Sequence, residues 1–431
     1  MQRDIKVIFE SLRRGTVPER GLHHFEVGTE KTRGELRRQL DLAESGEGAF
    51  KFLRGGYGCG KTFSARLAIN EALERNFAAS FVVVSDNDLR FYKFEELYRK
   101  VMSQLSTASC DRAALGNILD RWIGKVEDSL TDLGEDEDDP GFDQKVLKKI
   151  EEDLHNNTGG TVPQDMIRVL QKYFALKQER NLSDAGALLS WLCGGEGVSA
   201  SIKNKAGIKG DIGSDQALDY LRGVLEIVKA SGHKGLVIVI DEAETILRSR
   251  NDTRGKSLNG IRQILDDSER FRGLLWIFTG TPEFFDTQRG VKGLQPLHDR
   301  IRFNKSGNFV NYMQPQLELT PFDADRLRQV ARNLRSIYPE SQEQIREKVN
   351  DAFIDALVQK FMQGFAAQVG IVPRLFLRKF VDILDLVHQH PEYRPDVAED
   401  VELSEEERAI LNAPPLPTEA GDEAGYEEVT F

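Results

Sequence analysis

Residues Gly55–Thr62 read G-G-Y-G-C-G-K-T and match the spacing G-x-x-x-x-G-K-[ST] in full. Glycines this dense let successive backbone N–H groups converge on one anion, and a lysine and a threonine follow immediately. That set suits a polyphosphate. N–H groups at a helix N-terminus favour phosphate oxygens, where the helix dipole already attracts negative charge. Lys61 can reach the β- and γ-phosphates, and the Thr62 hydroxyl can serve Mg²⁺. Gly55, Gly56, Tyr57, Gly58, Cys59, Gly60, Lys61, Thr62 and Phe63 are therefore the expected nucleotide-binding residues. Cys59 reads as a small loop residue rather than a redox switch.

A glycine loop alone only binds, so the rest of a hydrolytic site must lie further along. The apolar run Leu236–Ile240 ends in Asp241-Glu242. At the end of a parallel strand, Asp241 can hold Mg²⁺ and Glu242 can polarise the attacking water. Glu244 is a second candidate for the base. The next apolar run ends in Phe278-Thr279-Gly280-Thr281, where Thr279 or Thr281 could aim a hydroxyl at that water. Arg300, or its neighbour Arg302, could neutralise transition-state charge on a neighbouring subunit's nucleotide. Arg374 follows Gly370-Ile371-Val372-Pro373 at a helix start and could report the γ-phosphate. Lys61, Glu242, Thr279, Arg300 and Arg374 form the expected catalytic set, with Thr62 and Asp241 as metal ligands. Asn304-Lys305-Ser306-Gly307 lacks the aspartate that reads guanine, which favours ATP over GTP.

Positioning these groups requires strands and helices in a particular order. Ala49-Phe50-Lys51-Phe52-Leu53 is a short strand before the loop, and Phe63–Asn76 reads as the helix after it. Ala79–Ser85, Leu236–Ile240, a strand within Phe271–Phe278 and Gln316–Leu319 supply further strands. The expected fold is an α/β P-loop NTPase of AAA+-like type, with a parallel sheet, a helical insertion and a C-terminal helical lid. Its expected parts are an N-terminal helical segment (1–45), an ATPase core (46–106 and 214–320), the insertion (107–213), the lid (321–400) and an acidic disordered tail (401–431). The insertion is far longer than an ordinary loop. The tail is proline-rich and acidic.

Composition sets the outer bounds. The 431 residues, 40% hydrophobic and 30% charged, suit a globular chain with a substantial core. Three cysteines without a C-x-x-C pair exclude a disulfide scaffold and give no zinc signature. The start MQRDIKVIFE is no signal peptide and no run is long enough to span a membrane, so a cytoplasmic location is expected. A net charge of −12 excludes a bulk polycation. Only Arg33/Arg37/Arg38 and Lys203/Lys205/Lys209 stand out as basic clusters, for which weak, sequence-independent contact with double-stranded DNA is the expectation.

Several stretches resemble the BREX ATP-binding proteins, the BrxD family of bacterial P-loop proteins associated with anti-phage islands. They are Gly21–Gly28 (GLHHFEVG), Phe52–Thr62, Trp191–Glu196 (WLCGGE) and Lys234–Glu244. The similarity runs over about residues 1–400. It implies a cytoplasmic ATP-dependent component of phage defence, working with other defence proteins and a superfamily-two helicase. The resemblance also implies a core similar to initiator and transposition-type ATPases. Only about thirty mostly acidic residues follow position 400, where initiators carry a DNA-binding winged helix. The motif set as a whole predicts a homo-oligomer, because an arginine finger acts across a subunit boundary.

Overall fold

A computed structural model describes residues 2–85, 89–307, 309–364 and 372–397. Gly370, Ile371 and the acidic tail lie outside the described residues. The chain opens with α1 (Gln2–Arg13) and α2 (Glu30–Glu44), then β1 (Ala49–Arg54), α3 (Lys61–Glu74) and β2 (Ala78–Val83). After α4 (Phe94–Ser103) and β3 (Leu105–Ser106) come α5 (Leu115–Asp132), α6 (Phe142–Thr158), α7 (Gln164–Gln178), α8 (Leu182–Leu192) and α9 (Ala200–Lys205). α10 (Ala217–Ala230), β4 (Leu236–Asp241), α11 (Asn251–Asp266), β5 (Leu274–Gly280), α12 (Pro282–Asp286) and α13 (Gln295–Arg300) follow. A hairpin of β6 (Lys305–Ser306) and β7 (Phe309–Val310) precedes β8 (Gln316–Glu318). The chain then runs through α14 (Ala324–Ile337), α15 (Gln342–Lys348), α16 (Asp351–Gly364) and α17 (Val372–Gln389).

The main sheet has the order β3-β2-β4-β5-β1-β8, and only β3 runs antiparallel. This is a mixed α/β fold around a mostly parallel sheet. The expected strands are present, with ends shifted by a few residues. In β4 and β5 nearly every residue is apolar because both faces are covered. Val237, Val239, Leu275 and Ile277 face α2 and α3. Ile238, Ile240, Trp276 and Phe278 face the opposite core. Helices α5–α8 are continuous with that second core, where the 107–213 region packs on α4 and α10. The Tyr98 hydroxyl donates to the Leu192 carbonyl at 2.7 Å, and Trp191 meets Tyr220 edge-on at 5.8 Å.

A third core joins the two ends of the chain. α1 buries Ile5, Ile8, Phe9 and Leu12, an i, i+3, i+4, i+7 stripe, against α14, α16 and α17. Arg13 closes the contact with two bonds to Asp385, at 2.6 and 2.7 Å. The N-terminal 45 residues are thus split in their packing: α1 belongs with the C-terminal helices and α2 with the sheet.

Candidate functional site

The parallel register brings Arg54, Thr279, Asp241 and Val83 to the same end of neighbouring strands. Binding sites of open α/β sheets form outside these carboxyl ends. The loop after β1 turns sharply there. Gly58 and Gly60 have φ of 70° and 82°, a left-handed conformation that side chains resist. Gly60 caps α3, so the helix begins at Lys61 and not at Phe63. That early start aims the first N–H groups of α3 at the space above the sheet.

Asp241 is the hub of the site and is almost fully buried. Its Oδ2 accepts the Thr62 hydroxyl at 2.8 Å and its Oδ1 accepts the Thr279 hydroxyl at 2.6 Å. Thr279 in turn accepts the Glu242 backbone N–H at 3.0 Å. Of the two threonines left open by the sequence, Thr279 is the one within this network. Thr281 instead stands at the N-cap of α12, where its backbone carbonyl accepts the Phe284 N–H at 3.0 Å. Glu242 has φ 61° and ψ 42°, a left-handed conformation costly for a non-glycine residue and characteristic of functional sites. Its carboxyl is pushed up by desolvation among the cavity walls and by Asp241, against the pull of Lys61, Arg248 and Arg374.

Lys61 donates to the Gly55 and Gly56 carbonyls at 2.9 and 3.1 Å. It also lies 3.7 Å from Glu244 Oε1 and 5.3 Å from the Tyr57 ring centre. Glu244 is buried, its Oε2 has no partner among the described residues, and burial pushes its carboxyl up despite Lys61. Burial likewise raises the Cys59 thiol, which suits a packed loop residue and not a reactive one.

Beside this network lies a cavity of about 430 Å³, whose lining does not include the buried Cys59, Glu244 or Thr279. Tyr57, Gly58, Gly60, Lys61, Thr62 and Phe63 line it, with Asp241 and Glu242. Gly55 and Gly56 lie behind, presenting carbonyls to Lys61. Arg374 also lines the cavity, and a Cβ on Gly15 would sit 3.3 Å from its Nε. Arg300 does not reach this cavity. It pairs with Asp266, donates to the Pro296 carbonyl at 2.7 Å, and lies with the exposed Arg302 beside a separate cavity.

The cavity's apolar wall was not anticipated. It combines Val17, Phe25 and Val27 from the N-terminal segment with Phe322, Val330 and Leu377 from the C-terminal one. Phe25 and Val27 fall in the GLHHFEVG stretch, which was the available signal. Arg66, one turn after Thr62 on α3, is a further cation of the lining; it stacks 3.6 Å above the Phe81 ring. An apolar slot beside an array of cations and N–H groups fits a flat base attached to phosphates.

Thr62 and Asp241 offer one hydroxyl and one carboxylate side by side, a donor set that fits Mg²⁺. Among the described residues no group of three or more His, Cys, Asp or Glu side chains could hold a metal alone. Mg²⁺ does not need one, because it takes most ligands from water and phosphate.

The basic clusters are largely neutralised. Arg33 pairs with Glu26 and Glu71, Arg37 with Glu71, and Arg38 with Glu35. Lys203 and Lys205 pair with Asp211 and Asp184. Among the described residues no helix is long and apolar enough to cross a membrane.

A mostly parallel α/β sheet thus gathers a glycine loop, a lysine and a hydroxyl–carboxylate pair at its strand ends, the equipment of a phosphate-binding site. The chain belongs to the family described as BREX system ATP-binding protein BrxC/D, whose model matches residues 1–402. A search of curated proteins gave no match.

Proposed function

We propose that the chain is an Mg²⁺-dependent ATPase with a P-loop core of AAA+-like type. Its turnover would remodel or load a DNA-associated phage-defence complex beside a superfamily-two helicase. The observation that carries the reading is the sharing of Asp241 between Thr62 and Thr279, with Glu242 N–H held by the same Thr279. One residue thereby ties the metal-side hydroxyl to the residue poised as base. The strand order supports it too: β5, tipped by Thr279, lies between β1, which leads into the loop, and β4, which ends in the acids.

In this mechanism the loop N–H groups and Lys61 hold the phosphates, and Phe25, Val27 and Phe322 flank the base. Thr62 and Asp241 would hold Mg²⁺, which would neutralise charge on the phosphates. Glu242 takes a proton from water as the water oxygen bonds to the γ-phosphorus and the bond to the β–γ bridging oxygen breaks. A carboxylate raised above its ordinary value is a stronger base for that step. Helices α14–α17 act as the lid, and Arg374 contacts the γ-phosphate. Arg300 serves the neighbouring subunit of a homo-oligomer after exchanging Asp266 for phosphate. Contact with duplex DNA is weak and sequence-independent, because Arg33, Arg37, Arg38, Lys203 and Lys205 must first exchange their carboxylates for phosphates.

The test is nucleotide binding and phosphate release in two variants. Glu242→Gln should retain ATP while hydrolysis falls by about 10²-fold or more. Lys61→Ala should weaken ATP binding itself. Wild-type turnover in Glu242→Gln would remove it as the base. A second reading, a nucleotide-gated switch or adaptor with little hydrolysis that binds protein partners through the 107–213 insertion, draws on Arg374 lining the cavity and on α5–α8 being continuous with the sheet's core. Turnover below about one per minute, with and without partner and DNA, would favour that switch.

A further inference from the structure

Between α13 and β8 the chain makes an excursion whose feet are held with unusual firmness. Lys51, fully buried on β1, donates to Glu35 at 2.6 Å and to the Tyr312 and Gln314 carbonyls at 2.8 and 2.6 Å. Arg54, at the end of the same strand, bonds Asp286 and Gln316 and lies 4.4 Å above the Phe303 ring. The Gln314 side chain bridges the N–H and carbonyl of Asn304. Two buried cations thus clamp the base of the excursion, at the desolvation cost that buried charges carry.

What the clamp presents is the reverse of a core. Phe309 on β7 is 82% exposed and Met313 is 64% exposed. Beside them an open cavity of about 630 Å³ is lined by Arg300, Arg302, Asn304, Lys305 and Phe309, with Asp299 as the carboxylate among them. The segment from Arg289 to Lys305 carries Arg289, Lys292, Arg300, Arg302 and Lys305 against Asp299 alone, in a chain of net charge −12. Arg300 and Lys305 are already paired, with Asp266 and Glu318. Such solvent-facing pairs are weak and exchange for other anions.

We propose that this excursion, built on β6 and β7, is a binding surface for single-stranded nucleic acid. Cations that track a phosphate chain beside an exposed ring that stacks on an unpaired base are the recurring features of such surfaces. Asn304 and Asn311 add donors and acceptors for base edges. A duplex fits less well, because its bases are stacked away from Phe309 and two-residue strands are too short to enter a groove. The inference goes beyond the ATPase reading and does not rest on it.

Fluorescence anisotropy of labelled oligothymidylate and oligouridylate on the full chain, without nucleotide, tests it. Binding is expected in the micromolar range at about 50 mM salt and should weaken steeply by about 200 mM. Phe309→Ala should weaken binding roughly tenfold through lost stacking. Lys305→Glu should weaken it and lower the salt slope by about one or more. Both positions are exposed, and unchanged thermal melts verify folding. Either strand type binding in this pattern supports the proposal, and the tighter one identifies the natural strand. No binding at low salt, wild-type affinity in both variants, or a duplex that competes equally well would overturn it.

Discussion

Thr279→Val is the sharpest probe of the site, because it changes one oxygen to one methyl in a fully buried position. Shape is preserved, so packing is not the variable. Two bonds are lost: the 2.6 Å donation to the Asp241 carboxylate and the 3.0 Å acceptance of the Glu242 N–H. A hydrogen bond to a charged group contributes about 1.5–3 kcal/mol and a neutral one about 0.5–1.5. Asp241 keeps the Thr62 hydroxyl and faces the cavity, so the total is discounted to about 2–3 kcal/mol. Glu242 would then lose the bond that holds its left-handed backbone in place. If that loss falls on the hydrolytic step, kcat drops by about 30–150-fold, at about 1.4 kcal/mol per tenfold. Phosphate release at saturating ATP measures kcat, and equilibrium titration should show ATP affinity nearly unchanged. Thr281→Val is the control, with near-wild-type turnover expected. A folded Thr279→Val protein within threefold of wild type would refute the assignment, as would equal losses at the two positions.

Arg374→Ala should lower the preference for ATP over ADP by about tenfold, the weight of one charge-assisted contact; competition titration measures it, and equal losses for both nucleotides would contradict a γ-phosphate role. Arg300→Ala should abolish the rise of specific activity with protein concentration, and a wild type without such a rise removes the finger altogether. For Glu244 the folded carboxyl binds its proton more tightly than the unfolded one, so its contribution to stability is present at low pH and lost as pH rises through the folded value, above the ordinary 4.5. Glu244→Gln should therefore gain stability relative to wild type as pH rises through that window in denaturant melts, and a constant difference between the two would refute the shift. Lys51→Met leaves the buried Glu35 to Arg38 and Gln39 and removes the donor of the Tyr312 and Gln314 carbonyls, which should cost about 1–3 kcal/mol in denaturant melts; a neutral variant would show that the clamp holds nothing.

The parts of this molecule legible from sequence are those where one short segment carries both chemistry and context. Gly55–Thr62 is such a segment, and Gly58 and Gly60 are needed where they stand, as their positive φ values show. The apolar runs Leu236–Ile240 and Phe271–Phe278 announced buried strands because parallel strands covered on both faces have no polar face to alternate with. The choice between Thr279 and Thr281 could not be read, since both are hydroxyls at one strand end and only the register with β4 decides which meets Asp241. The ion pairs of the basic clusters were hidden for a related reason. Beside the nearby Glu26, Arg33 meets Glu71, as does Arg37, and that carboxylate arrives from α3, across the packing of two helices. The cavity wall was the hardest to see, because Val17, Phe25, Phe322 and Leu377 have no chemistry to distinguish them from core. Their meeting requires α1 to pack on α17 and so draw the two ends of the chain around the loop between them. Lys51 was the overlooked clue: a lysine inside the apolar run AFKFL needs buried partners, and these are Glu35 on α2 and the Tyr312 and Gln314 carbonyls of the excursion that carries Phe309. A charge placed where only apolar residues belong therefore marks the strand that connects the nucleotide loop to a second working surface.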